Sequence, residues 1–240
     1  MNQIANRTEL LSSINTELTA RGLKNIRKLG DSQKGEFEIV ALKEVYDHSA
    51  RFFTDVKFAV LFPGGKEGEF TVRFNANGST SDGAIVVVVV NGRFAIVKQW
   101  RLPLSQWTYE IPRGFGEKLD AAQINGVLGS VAIGDLPLGT VTRELGEEVM
   151  KGAVIQSITH LCNIAENSGT NNIAPGYYLV QIKVDEEVLS GRAHGSEDEL
   201  KLYLWDSARV QSEIGQKICD SHSITAIALA RRHIDALPRM

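Results

Sequence analysis

The sequence predicts a fold of the α/β or α+β class. Three observations predict it: apolar residues at helical spacing near both ends of the chain, strand-length apolar runs between them, and the interleaving of the two patterns. At 240 residues the chain suits one large domain, or a core domain with a smaller N-terminal one. Apolar residues make up 43% and charged residues 23%, so the chain can bury a core without staples.

Residues 7–29 read as an amphipathic helix. Leu10, Leu11, Ile14, Leu18, Leu23 and Ile26 recur at helical spacing, and Gly30 follows as a stop. Residues 37–42 and 51–62 read as strands, Pro63-Gly64-Gly65 as a turn, and residues 69–74 as a third strand. Residues 75–83 are rich in Asn, Gly, Ser and Asp and read as a loop. Residues 84–90 are apolar at every position, which fits a strand buried on both faces. Asn91-Gly92 follows as a tight hairpin turn, and residues 93–99 return as the partner strand. Residues 107–111 read as a short strand ending in Pro112-Arg113-Gly114. Residues 118–134 read as a small-residue loop and residues 136–149 as a helix. Strands follow at 154–162, 177–184 and 201–205, with a polar loop at 191–199, and a helix over 221–237 closes the chain.

Composition narrows the function. The net charge of −3 argues against a nucleic-acid partner, which needs a basic face. A polyanionic substrate would therefore be met by local cations or by a bound metal. Two cysteines, Cys162 and Cys219, are too few for a disulfide framework, and the N-terminus lacks the apolar stretch of a signal peptide. A cytoplasmic setting is expected. The longest apolar run, residues 84–90, is far too short to cross a bilayer as a helix, so no membrane partner is expected.

The chemistry is concentrated in Arg143-Glu144-Leu145-Gly146-Glu147-Glu148. On a helix, Glu144, Glu147 and Glu148 stand at i, i+3 and i+4, so three carboxylates project from one face. Like charges at that spacing destabilise a bare helix by a few tenths of a kcal/mol per pair, roughly. Either solvent screens them, or a cation compensates. A hard divalent cation such as Mg²⁺ takes several oxygen ligands and would turn the repulsion into a binding site.

The context of that run resembles the box of the Nudix hydrolase family. The chain reads Gly129, five residues, Asp135, seven residues, then Arg143 to Glu148. Further residues are similar to the ADP-ribose pyrophosphatase branch of that family. They are Gly83-Ala84-Ile85-Val86-Val87, Lys98-Gln99-Trp100-Arg101, Trp107 to Gly114, and Gly215 to Ser221 leading into the last helix. The similarity runs over residues 35–233 in the family's order.

The resemblance implies a Nudix α/β/α sandwich with a mixed sheet over residues 81–240, preceded by a small N-terminal helix and β-rich extension over residues 1–80. It implies that the extension joins a homodimer whose two chains shape the substrate pocket. The implied reaction is Mg²⁺-dependent hydrolysis of a diphosphate bond in a nucleoside diphosphate sugar such as ADP-ribose, with Mn²⁺ as the alternative ion. Glu144 and Glu148 would ligate the metal, with Glu147 as a further ligand or as the group that positions water. The backbone carbonyl of Arg113 would touch the metal if Gly114 is the family's loop glycine. Arg143 and Asp135 would support the site by tying loop to helix, although Asp135, just before Leu136-Pro137, also reads as a helix N-cap. Arg101 would contact phosphate, with Glu110 beside the substrate. Trp107 would stack on a base or fill a core or dimer interface.

The chain departs from the family's pattern in three places: Asp135 replaces Glu, Met150 replaces the helix-ending Gly, and Ser168-Gly169-Thr170-Asn171-Asn172 lacks the catalytic acid of the family's loop. Glu166 and Glu147 are the candidate bases in its stead, with Glu197, Asp198 and Glu199 further along. These departures motivate a second reading, a nucleotide-sugar-binding protein that kept the fold and lost turnover.

Overall fold

The computed structural model describes residues 2–47, 53–75, 83–114, 154–184 and 201–234. Contacts divide the chain into two units, Met1–Asp82 with Ala165–Ala174, and Gly83–Ile164 with Pro175–Met240.

In the first unit, helix α1 (Asn2–Ala20) ends at a Schellman turn. Leu23 N–H bonds Leu18 C=O at 2.9 Å, Gly22 N–H bonds Thr19 C=O at 2.9 Å, and Gly22 takes φ 71°. The helix expected over residues 7–29 is therefore corrected. Its stop is Gly22, not Gly30, because Gly22 supplies the left-handed residue the turn needs. Leu23 stays buried because it closes this turn against Leu18. Ile26 lies beyond the helix, and Asn15 holds its backbone at both ends, accepting from its N–H at 2.9 Å and donating to its C=O at 3.1 Å.

Three antiparallel strands follow in the order β1 (Glu38–Asp47), β2 (Phe53–Leu61) and β3 (Glu67–Asn75). Along β2, Thr54, Val56, Phe58 and Val60 alternate into the core with Ile14, Leu18 and Phe74. β1 runs past the expected residue 42. Its second half is held by polar pairs with β2, such as Lys57 to Glu44 at 3.2 Å and Thr54 to Asp47 at 3.0 Å, which an apolar pattern does not register. Gly30 has φ 82°, and a Cβ there would sit 1.9 Å from the Phe37 carbonyl oxygen. Gly30→Ala is expected to cost more than about 2 kcal/mol, the sum of left-handed strain and a clash with backbone that cannot rotate away. Urea denaturation measures it, and a loss under about 0.5 kcal/mol would contradict this. Residues 165–174 join this unit by backbone bonds, Arg73 N–H to Thr170 C=O and Asn172 N–H to Arg73 C=O, both at 2.8 Å.

The second unit is built on a mixed sheet. Its strands are β4 (Ala84–Val90), β5 (Arg93–Arg101), β6 (Gln106–Glu110), β7 (Arg113–Gly114), β8 (Val154–Asn163), β9 (Gly176–Lys183) and β10 (Lys201–Trp205). The main order is β10-β5-β4-β9-β8, with β6 on β5 and β7 on β4. β4 and β9 run parallel and the other pairs antiparallel. Every residue of β4 is buried, as expected. Ala84, Val86, Val88 and Val90 enter one core, while Ile85, Val87 and Val89 enter the other. The Asn91-Gly92 turn has φ 47° and 78°, the two positive angles that match a hairpin's twist.

The second face carries α2 (Ser207–Glu213) and α3 (Ser221–Ile234), which bury Val210, Ala226, Ile227 and Ala230 against it. α2 was not anticipated from the sequence. Its signal is Asp206, whose carboxylate caps the helix by accepting from Arg209 N–H at 2.7 Å. Tyr177 of β9 and His222 of α3 are both buried, with the phenol oxygen 2.7 Å from Nδ1. The expected loop at 118–134, helix at 136–149 and loop at 191–199 lie outside the described residues. No helix of the described residues is long and apolar enough to cross a membrane.

Candidate active site

The β5–β6 hairpin sets the first polar cluster. Val97 pairs with Glu110 and Gln99 with Thr108, so Arg101, Thr108 and Glu110 share one face of the hairpin by the two-residue alternation of strands. Glu110 is 1% exposed, in a setting where an unpaired carboxylate would be costly. It is paired three times. Arg101 donates from Nε at 2.8 Å and from Nη2, making a two-pronged fork. Arg113 brings Nη2 to 2.9 Å, and Thr108 donates its hydroxyl at 2.5 Å.

Arg113 arrives there because Pro112 bends the chain after β6 and β7 then pairs with β4. Pro112 C=O accepts Val86 N–H at 2.9 Å, and Arg113 stands opposite Ile85. The same segment is latched to the start of α3. Ser223 accepts Ile111 N–H at 2.8 Å on its hydroxyl. Asp220 caps α3 by accepting Ser223 N–H at 2.9 Å on Oδ1, and Arg113 Nη1 lies 3.5 Å from the same oxygen. The cluster is thus two guanidiniums on one buried glutamate, with Arg113 also reaching the helix-capping aspartate.

Burial alone would push the Glu110 carboxyl upward. The Arg101 hydrogen bond, the Arg113 charge and the Thr108 hydroxyl outweigh it and hold the group below its ordinary value of 4.5. The unfolded chain therefore takes up this proton first as pH falls. The stabilisation from Glu110 is complete above pH 4.5 and is lost as pH drops through the folded-state value. Glu110→Gln is expected to flatten the loss of thermal stability below pH 4.5, in unfolding scans between about pH 3 and 6. An unchanged acid limb would contradict the assignment.

The sequence-predicted residues fall in three places. Arg101, Glu110 and Arg113 come together in the second unit, as described. Trp107 lies on the same hairpin but does not enter the core. It is 48% exposed, edge-on to the half-exposed Trp100 at 5.8 Å, with Lys98 Nζ 5.1 Å from its ring centre. Glu166 belongs to the first unit, on the loop between β8 and β9. It is exposed and accepts a hydrogen bond from the Asn171 amide at 3.0 Å. Asp135, Arg143, Glu144, Glu147 and Glu148 lie outside the described residues. Among the described residues no group of three or more His, Cys, Asp or Glu could hold a metal ion.

Thr108, Asp220 and Ser223 were not singled out from the sequence. Asp220 was legible in principle, because an Asp just before a helical pattern is an N-cap signal. Thr108 reaches Glu110 two residues on along the same strand, where a Thr-x-Glu pair carries no distinctive signal, and Ser223 acts through a contact between distant segments.

The mixed sheet, the helices on one of its faces and the small N-terminal helix with its strands form a fold of the mixed α/β class. A solved structure described as an ADP compounds hydrolase matches it with a TM-score of 0.60 at 16% identity, covering 85% of this chain and 97% of that one. At that identity the likeness concerns the fold. No family model matches the chain, and no curated protein matches it.

Proposed function

We propose that the protein is a Mg²⁺-dependent hydrolase that splits the diphosphate of a nucleoside diphosphate sugar such as ADP-ribose into a nucleoside monophosphate and a sugar phosphate. The observation that carries this reading is Glu144, Glu147 and Glu148 at helical spacing in a chain with a Nudix-like fold. The similarity to an ADP compounds hydrolase supports it.

In this reading Glu144 and Glu148 hold the metal, with Glu147 and the Arg113 carbonyl as further oxygen donors. An all-oxygen donor set suits a hard ion, Mg²⁺ or Mn²⁺. An ion held there would supply charge neutralisation for the diphosphate and would favour deprotonation of the attacking water. The chain's own residues do the rest. Arg101 meets phosphate oxygens, Trp107 offers its exposed ring to the base, and Glu110 fixes the direction of both arginines. Arg143 and Asp135 brace the helix. Glu147 or Glu166 takes the water proton as the new P–O bond forms and the bridging P–O bond breaks. The protein works in the cytoplasm as a homodimer, with the N-terminal unit in the interface.

The second reading, a nucleotide-sugar-binding protein without turnover, is favoured by Asp135, Met150 and the acid-free Ser168 to Asn172. Incubation with ADP-ribose and Mg²⁺ in ¹⁸O-water separates the two. Hydrolysis places one ¹⁸O in a monophosphate product, read by mass spectrometry. Intact ADP-ribose with saturable binding selects the second reading.

A further inference from the structure

The first unit contains a cleft whose lining includes none of Arg101, Glu110 and Arg113. Its volume is about 510 Å³, within the range of small-molecule sites, and every residue lining it belongs to this unit. Residues 24–27 line it, with Lys24 and Arg27, as do the loop 168–172, made of Ser, Gly, Thr and two Asn, and the partly buried Phe70 and Val72 with the buried Phe74.

Both polar lining segments are fixed. Asn15 clamps the Ile26 backbone from α1, and Asn25 accepts the Thr19 hydroxyl at 2.9 Å. In the other lining segment, Asn167 receives Gly169 N–H on its side chain at 3.1 Å and Asn171 N–H on its carbonyl at 2.8 Å, while Arg73 binds residues 170 and 172 through its backbone. A site held this way loses little entropy on binding. Its charge is one-sided. Among the described residues two cations line it and no acid does, in a protein of net charge −3. Arg27 is exposed and has no side-chain partner among the described residues.

We propose that this cleft binds a small phosphate monoester carrying a flat apolar body. The planar Arg27 fork and Lys24, with the hydroxyls and amides of residues 168–172, suit a phosphate, since guanidinium and phosphate match in a two-pronged geometry. The partly exposed Phe70 and Val72 suit an apolar ring rather than a bare ion.

The test uses the full chain with ¹³C-labelled methyls and phenyl phosphate as the probe, with inorganic phosphate and benzyl alcohol as separate arms. The Ile26, Val72 and Ile173 methyls line the cleft, and those of Ile85 and Val87 serve as controls in the other unit. Phenyl phosphate is expected to shift the three cleft methyls with half-saturation at about 1 mM or below. Inorganic phosphate and benzyl alcohol should each bind at least about tenfold more weakly. Arg27→Glu should weaken phenyl phosphate by about tenfold or more, while Arg27→Lys retains most of the shift. Unmoved cleft methyls, equal binding of inorganic phosphate alone, or shifts that survive Arg27→Glu would each overturn the proposal. Asn171 lines the cleft and donates to Glu166, a candidate base of the proposed hydrolysis, but this test reads binding rather than turnover, so either result leaves that reading to its own test.

Discussion

Glu148→Gln is expected to lower Mg²⁺-dependent hydrolysis of ADP-ribose about 10³-fold, equivalent to about 4 kcal/mol of transition-state stabilisation. Glutamine keeps the shape and one acceptor oxygen but removes the negative charge. Magnesium binds chiefly through charged oxygen and tolerates little change in its shell, so losing one carboxylate weakens the ion as well as misplacing it. Raising the metal concentration, or substituting Mn²⁺, should recover part of the rate, because the defect lies in ion binding rather than in folding. Glu147→Gln is the informative comparison. If Glu147 positions water, its kcat falls while its metal requirement stays near that of the wild type. If it is a ligand, both change. Steady-state kinetics across a metal titration distinguish these outcomes. Wild-type turnover in Glu148→Gln would remove Glu148 from the metal site.

Glu110→Ala is expected to be the most destabilising single change in the described part of the second unit that leaves the apolar core intact, at about 3 kcal/mol. Glu110 is 1% exposed and serves two guanidiniums whose own side chains are 30% and 27% exposed. Truncation removes the carboxylate that the two cations share and, among the described residues, leaves Arg113 only the longer contact with Asp220 at 3.5 Å. Their partial exposure lets water offset some of the cost, which keeps the figure at the lower end for a buried pair. Glu110→Gln keeps an acceptor and should cost about half as much. A double-mutant cycle with Arg113→Met, read by urea denaturation, should give a coupling energy of about 1–3 kcal/mol. Glu110→Ala within about 0.5 kcal/mol of the wild type would mean that the cluster is ornamental to stability.

The second unit's sheet was readable where burial on both faces left an unbroken apolar run. Ala84–Val90 and the Asn91-Gly92 turn stand as the pattern implied. The N-terminal helix was over-extended for a physical reason. Leu23 and Ile26 are apolar because they fold back over α1, and helical spacing does not distinguish that from continuation. The C-terminal half of β1 was missed because cross-strand charges, not apolar alternation, hold it.

The candidate site was legible in part. Arg101, Glu110 and Arg113 were named from a motif, and the structure places them around one carboxylate. That geometry adds what the motif did not contain. Two prongs of the Arg101 fork are engaged by Glu110, so Glu110 orients the arginine. Asp220 and Ser223 enter from more than a hundred residues away, and only tertiary packing brings them to Arg113 and Ile111. Glu166 illustrates the opposite limit. Its nearness in sequence to the strands of the second unit did not reveal that its loop is bonded to β3 in the first.

The most direct test of the central claim is phosphate-coupled hydrolysis of ADP-ribose, GDP-mannose, diadenosine polyphosphates and NADH by the purified chain, with Mg²⁺ and with chelator. The account predicts turnover of at least one of the four, strongest on a nucleoside diphosphate sugar, and its loss when the metal is removed. No turnover of any of them with Mg²⁺ present, or turnover indifferent to chelation, would contradict it.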